Sequence, residues 1–175
     1  MSDAMTIDAY GAVIAPATFK IERLLPGPIE RVWDYLTNSD LRRQWLASGD
    51  MTLEEDAPFT LTWRNEELLG SGPRPEGMSE EHSMDSRIIA VEPPRRLVFA
   101  WKQGEVSFTL APVGDRVLLT LVHSRVSDRA NLTSVSAGWH AHLGVLAAAL
   151  EGTAPTPFWP TWQALRADYE ARIPE

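Results

Sequence analysis

The sequence predicts a single α+β domain, in which a meander of antiparallel strands is followed by a long helix. Three observations predict it: short runs of alternating apolar and polar residues, hairpin-length turns between those runs, and a change to helical spacing after residue 128. The 175 residues are typical of one domain and are enough to bury a sizeable core. There is no cysteine, which excludes disulfides, thiolate metal sites and a cysteine nucleophile.

The first predicted strand covers residues 18–25 (TFKIERLL), because Phe19, Ile21 and Leu25 alternate with polar residues. Residues 1–17 before it are interpreted as an N-terminal tail. Met5 offers an alternative start, so residues 1–4 do not enter the fold prediction.

Two short helices are predicted after this strand. The first begins after Gly27 and Pro28, and its apolar residues recur at helical spacing: Ile29, Val32, Trp33 and Leu36. Asn38 or Ser39 can cap the second, which carries Leu41 and Trp45 one turn apart.

Five more strands are predicted, giving a sheet of about six. They are residues 59–64 and, after a long loop at 65–81 rich in Gly, Pro and Glu, the runs RIIAV, RLVFAW, EVSFTLA and RVLLTLVH. The turns KQGE and PVGD are short enough for hairpins, so the order along the chain predicts an antiparallel meander.

Two further helices are predicted from apolar stripes. The first, roughly residues 129–150, carries one stripe formed by Val135, Trp139, Leu143, Leu146 and Leu150. The second lies in the tail after residue 152, and its stripe contains Trp162, Leu165, Tyr169 and Ile173. The predicted division is therefore a tail (1–17), a main domain (18–152) and a helical extension of the same domain (153–175).

Charge and hydropathy exclude several classes of partner. The net charge of −8, from 24 acidic and 16 basic residues, opposes binding to nucleic acid. No apolar run approaches the ~20 residues that span a bilayer. The first residues do not form the basic and apolar regions of a secretory signal, so we expect a cytoplasmic protein.

The stretch SAGWHAHLGVLAAALEG places His140 and His142 beside Trp139. On a helix, residues i and i+2 point ~200° apart, so the two rings cannot chelate one ion. We expect both histidines to flank the buried Trp139 stripe, partly solvated, and we predict no metal site.

No catalytic or cofactor motif is present. The sequence contains no G-x-S-x-G elbow, no G-x-G-x-x-G loop and no Walker lysine, so we predict no catalytic group and no cofactor. His123 closes an apolar strand face and has two interpretations: a histidine at the edge of the core bonded to a neighbour, or a polar anchor at the end of a pocket. The seven tryptophans likewise fit either core packing or a cavity wall.

Several segments resemble a known family. IERLLPGPIERVWDYLTNSDLRRQWL, IIAVEPPRRLVFAW, GDRVLLTLVH and SAGWHAHLGVLAAALEG are similar to bacterial homologues of the activator of the heat-shock-protein-90 ATPase. These belong to the SRPBCC superfamily, with START lipid-transfer domains and the birch-pollen allergen. The resemblance covers residues 18–152 and implies a helix-grip fold, a curved antiparallel sheet wrapped around the long helix with a cavity between them.

The resemblance, together with the strand faces, also implies a ligand site. Trp139, Leu143 and Leu146 would face the sheet, and Trp45 would lie near the entrance. The cavity would be bounded by Trp63, Trp101, Phe108 and His123.

The leading functional hypothesis is binding of a small apolar molecule without catalysis. The alternatives are a cyclase or hydrolase that acts on a polyketide-like apolar substrate with His123 as acid or base, and a protein that binds a chaperone or regulatory partner. The loop at 65–81 is longer and more acidic than the family implies and could form a lid or a partner surface. The sequence leaves open a homodimer formed through the extra C-terminal helix.

Overall fold

A computed structural model describes residues 8–64 and 81–173. The loop at 65–81, apart from Glu81, and residues 1–4 lie outside the described residues. The elements, in chain order, are β1 (Ala12–Ala15), β2 (Thr18–Pro26), α1 (Ile29–Thr37), α2 (Ser39–Arg42), β3 (Pro58–Trp63), β4 (His82–Glu92), β5 (Arg96–Trp101), β6 (Gly104–Val113), β7 (Arg116–Ser124), α3 (Arg129–Glu151) and α4 (Phe158–Arg172).

The described strands form one antiparallel sheet in the order β1-β2-β7-β6-β5-β4-β3. Strands β3 to β7 are the predicted meander, and β2 pairs with β7 after the chain has crossed over through α1 and α2. The sheet is curved and open, and its concave face holds α3. The α+β class and the helix-grip fold are thereby confirmed.

Strand β1 was not predicted. It lies within the segment interpreted as a tail, and Val13 pairs with Phe19 of β2 at the edge of the sheet. The sequence of β1, AVIA, gives no alternation, and Ile14 is 56% exposed, so no buried face reveals the strand. Main-chain pairing with β2 is what makes it a strand.

The two predicted short helices form, although α2 ends at Arg42 and does not include Trp45, and the chain after α2 is held by a buried arginine. Asn38 caps α2, because its Oδ1 accepts hydrogen bonds from the main-chain N–H of Asp40 and Leu41 at 2.9 and 3.2 Å. Arg42, 2% exposed, donates to three main-chain carbonyls, those of Leu36, Ala47 and Gly49. These bonds fix the segment that carries Trp45.

Helix α3 lies between the sheet and α4. Asp128 caps its N-terminus, with a side chain that accepts from Asn131 N at 2.8 Å, and Gly152 caps its C-terminus with a left-handed φ of 72° that favours glycine. The predicted stripe is buried except for half-buried Val135. Helix α4 packs against α3 and reaches β2 through Tyr169, whose ring lies 5.7 Å from that of Phe19; its buried residues are Phe158, Trp159, Leu165 and Tyr169.

Candidate functional site

Five of the predicted site residues form one contiguous group, which we call the aromatic cluster: Trp63, Trp101, Phe108, His123 and Trp139. Trp101 is at its centre, with ring centroids 5.3 Å from Trp63, 4.9 Å from His123 and 5.5 Å from Trp139. Phe108 lies 5.8 Å from Trp139. These separations are typical of favourable edge-to-face and tilted aromatic pairs.

The register of the sheet explains why the cluster forms. Trp63 is the last residue of β3 and Trp101 the last of β5, while His123 is near the end of β7. Because β3, β5 and β7 run in the same direction through the meander, their last residues lie at the same end of the sheet. Trp139 contacts Trp101 and His123 from the first half of α3. Trp101 is half-buried, whereas the other members of the cluster are buried.

His123 is the one polar side chain in a row that crosses the concave face of the sheet. Strand pairing aligns it with Phe19 of β2 and Val106 of β6, and the row continues to Phe99 and Ile88. Each residue of this row is at most 1% exposed. The histidine is therefore held among apolar side chains.

Its protonation state follows from one hydrogen bond. Trp139 Nε1–H donates to His123 Nδ1 at 3.0 Å, which leaves the ring proton of the neutral imidazole on Nε2. Burial lowers the pKa of His123 to about 4, because charging a ring in apolar surroundings is unfavourable. The indole occupies the lone pair that a general base would use, so His123 offers its environment a hydrogen-bond donor.

Trp45 is not at an entrance. It is fully buried, its Nε1–H donates to the main-chain oxygen of Tyr35 at 2.8 Å, and its ring lies 6.3 Å from Phe108. The expectation was wrong because the bonds of Arg42 direct the chain inward after α2. The helical spacing of Leu41 and Trp45 does not reveal this turn. Trp45 extends the cluster at its inner end.

Leu143 and Leu146 are completely buried on α3. They lie one and two turns beyond Trp139 on the stripe that belongs to the common hydrophobic core. They join the core with the cluster but take no part in its ring contacts.

The expected solvation of His142 was also wrong. His142 is 6% exposed, its Nδ1 hydrogen bonds to the main-chain oxygen of Trp45 at 2.8 Å, and its ring lies 4.5 Å from that of Phe158. Burial lowers its pKa to about 4, although the bond to the carbonyl favours the charged form. A tail helix that covers this side of α3 converts a flanking position into an interior one.

His140 is half-buried at a different contact. Its Nδ1 lies 2.9 Å from the hydroxyl of Tyr169, which also accepts from Gly11 N at 2.8 Å. Burial, with a smaller effect of Arg23, lowers its pKa to about 4. The two histidines of the stretch thus bind different parts of the fold, and within the part of the chain that the structure describes no three His, Asp or Glu side chains are arranged to hold a metal ion.

Arg23 is an inward-facing charge that was not predicted. It occupies the same face of β2 as Phe19, Ile21 and Leu25, and it pairs with buried Leu119. Burial lowers its pKa, and its Nη1 donates to the main-chain oxygen of Glu22 at 2.7 Å. Strict alternation along β2 was the signal that could have identified it.

A surface groove of about 450 Å³ lies at the opposite end of the sheet. It is formed around the start of α1 and the β6–β7 turn, and it contains none of the predicted site residues. Its lining residues are Gly27, Pro28, Ile29, Glu30, Pro112, Gly114, Asp115, Arg116 and Val117.

The helix-grip fold agrees with a family-model match. Residues 26–151 match the model for "Activator of Hsp90 ATPase homolog 1-like protein", which is more than half of the chain. The chain belongs to this family. The match to this Hsp90-activator-like family runs from the end of β2 to the end of α3, so it includes every predicted site residue.

Solved structures share this fold. A Bordetella parapertussis protein is 36% identical, with 100% of this chain and 97% of that chain covered and a TM-score of 0.77, so the similarity includes α4. CalU16 from Micromonospora echinospora is 22% identical, covering 90% of this chain and 89% of that chain with a TM-score of 0.64. DynU16, a protein of the dynemicin biosynthetic locus, is 21% identical over 81% of this chain and 50% of that chain, with a TM-score of 0.64.

The last two similarities concern the fold alone. No curated protein matches the chain in sequence. Among the helices within residues 8–64 and 81–173, none is long and apolar enough to cross a bilayer.

Proposed function

We propose that this protein binds a small apolar molecule between the curved sheet and α3, at the aromatic cluster. The observation that carries the proposal is the contiguous group of three tryptophans, one phenylalanine and a single buried imidazole at one end of the sheet, in which Trp101 and Trp139 contact the imidazole directly. Ligand sites are mostly apolar and aromatic, with few and specifically placed polar groups. The cluster has this composition.

Such a ligand would contact the cluster first at Trp101, its half-buried member. It ends β5 next to the turn to β6, and it contacts Trp63, His123 and Trp139. A flat apolar ligand stacked on its ring would bury the remaining exposed part of the indole. The burial of apolar area is worth about 25 cal/mol per Å², so a ligand of this kind gains affinity without a charge.

The other three predicted ligand contacts, Trp45, Leu143 and Leu146, lie next to the cluster. Trp45 lies behind Phe108, and Leu143 and Leu146 continue the apolar face of α3 beneath the cluster. We propose that these three shape the inner end of the site. The alternative of a cyclase or hydrolase with His123 as acid or base finds no support. Nδ1 is engaged by Trp139, and a pKa of about 4 makes the ring a weak base and leaves no imidazolium to act as the acid at neutral pH.

The proposal is tested first by native mass spectrometry of protein purified without detergent. A stoichiometric small molecule that is released on denaturation is the expected result, and its mass gives the class of ligand. The same preparation is then made with Trp101→Ala and, as a matched control, with Trp162→Ala. Both tryptophans are half-buried, but Trp162 lies on α4 and contacts Trp159 outside the cluster.

We expect the Trp101→Ala protein to lose most of the bound molecule and the Trp162→Ala protein to retain it. Equal retention by both variants contradicts a site at the cluster. If every preparation is empty, and the wild type also fails to bind apolar bicyclic compounds added to it, the ligand-binding proposal is wrong.

A further inference from the structure

The Nε2–H group of His123 can donate a hydrogen bond, and no described residue accepts one from it. Trp139 occupies Nδ1, which places the proton on Nε2. Within residues 8–64 and 81–173, no side chain or main-chain oxygen is hydrogen bonded to this N–H. An N–H group in apolar surroundings that meets no acceptor within the protein is available to a bound ligand or to water.

The described residues do not enclose this nitrogen completely. Among the side-chain polar atoms that they enclose completely, Trp159 Nε1 on α4 is the one without a partner, and His123 Nε2 is not closed off in that way. The ring itself is 1% exposed, packed against Trp101 at 4.9 Å and held by Trp139. The donor therefore has a fixed direction in apolar surroundings and can meet a partner that enters the cluster.

On this basis we propose that the molecule bound at the aromatic cluster is uncharged and carries a carbonyl or ether oxygen that accepts a hydrogen bond from Nε2–H of His123. This inference rests on the proposed function and adds the polar chemistry of the ligand to it. The neutral imidazole presents a single donor, which suits one oxygen lone pair. A carboxylate would lose its hydration in this apolar environment without gaining an opposite charge.

The role of Trp139 is then that of a positioning residue. Its indole N–H fixes the tautomer of His123 and so determines that the free nitrogen donates. Without that bond the neutral ring could equally carry its proton on Nδ1 and present a lone pair at Nε2. Trp139→Phe should therefore weaken the preference for an acceptor-bearing ligand although His123 itself is unchanged.

The test uses two probes of the same bicyclic skeleton, 1-tetralone with a ketone oxygen and tetralin without it. Dissociation constants for both are measured by isothermal titration calorimetry on the full chain. The quantity compared is the ratio of the tetralin constant to the tetralone constant, because the difference in hydration between the probes cancels when one ratio is divided by another. The proteins are the wild type, His123→Phe and His123→Gln, whose amide nitrogen lies at about the depth of Nε2.

We expect the ratio to fall about five- to tenfold in His123→Phe, the value of one neutral hydrogen bond, and to change by less than about twofold in His123→Gln. If His123→Phe does not fold, His123→Asn replaces it, because its shorter amide can still accept from Trp139 but does not reach the position of Nε2. A ratio that is unchanged in a folded Phe or Asn variant overturns the hydrogen bond and leaves the proposed function standing. If neither probe binds the wild type, and native mass spectrometry finds no ligand, both proposals are overturned together.

Discussion

Acidification should destabilise this protein well before its carboxylates are protonated. His123 and His142 are both less than 10% exposed, and burial lowers the pKa of each to about 4. An unfolded chain binds a proton on each ring near pH 6.5. The unfolded state therefore takes up protons that the folded state refuses, and stability falls with pH in this range.

The magnitude follows from the two pKa values. Above pH 6.5 both rings are uncharged in the folded and unfolded states, so they do not reduce the free energy of unfolding. As the pH falls from 6.5 toward 4, each ring lowers that free energy further. At pH 5 the loss is about 2 kcal/mol for each ring and about 4 kcal/mol for the two together. A domain is stabilised by only about 5–15 kcal/mol, so this loss is a large fraction of the total.

The assay is urea unfolding followed by tryptophan fluorescence at pH 7.5, 6.5, 5.5 and 5.0. In parallel, the histidine ring protons of the folded protein are titrated by NMR. Replacing His142 by Gln should reduce the dependence on pH by about one proton, or ~1.4 kcal/mol per pH unit. An unfolding free energy that is constant from pH 6.5 to 5.0, or folded-state rings that titrate near 6.5, would refute the reasoning.

Three further predictions concern stability at neutral pH. Arg42→Met should cost about 2–4 kcal/mol in urea unfolding, because two buried main-chain carbonyls and one partly buried one lose their donor. A cost below about 1 kcal/mol contradicts the importance of that arginine. Tyr169→Phe should lower the free energy of unfolding by about 1–2 kcal/mol and accelerate hydrogen exchange at the start of β1, because the buried hydroxyl bonds to Gly11 and His140. The control Tyr10→Phe loses one exposed hydrogen bond and should change this free energy by less than about 0.5 kcal/mol. Equal effects of the two variants would show that the bonds of the buried hydroxyl are unimportant. Leu146→Ala should cost about 2–5 kcal/mol by leaving a cavity, against about 0.5 kcal/mol or less for Ile14→Ala at an exposed position, and a small cost at the buried leucine would place it outside the core.

The secondary structure was largely predictable because its signals are local. Alternation located the strands from β2 to β7, and helical spacing located α1, α3 and α4 to within a few residues. Cap and turn residues such as Asn38 act within three or four positions of the chain. Strand β1 escaped prediction because its edge position exposes Ile14 and leaves no alternating pattern.

The composition of the aromatic cluster was also predictable from the sequence. Strand faces and the stripe on α3 selected Trp63, Trp101, Phe108, His123 and Trp139, and the resemblance to the Hsp90-activator-like family supplied the curvature that brings them together. A period of two or 3.6 residues states which side chains share a face. It does not state which face meets which.

What the tertiary structure alone decided is the chemical state of the polar groups. His123 and His142 occur in the sequence as ordinary histidines, and only the bond from Trp139 and the cover provided by α4 make one a fixed donor and the other a buried, uncharged ring. The sequence predicts Trp45 near an entrance, whereas in the fold the bonds of Arg42 direct the chain inward and Trp45 is buried. Apolar patterning is written residue by residue along the chain, whereas burial and hydrogen bonding depend on partners 16 to 97 positions away, which only the folded chain brings within reach.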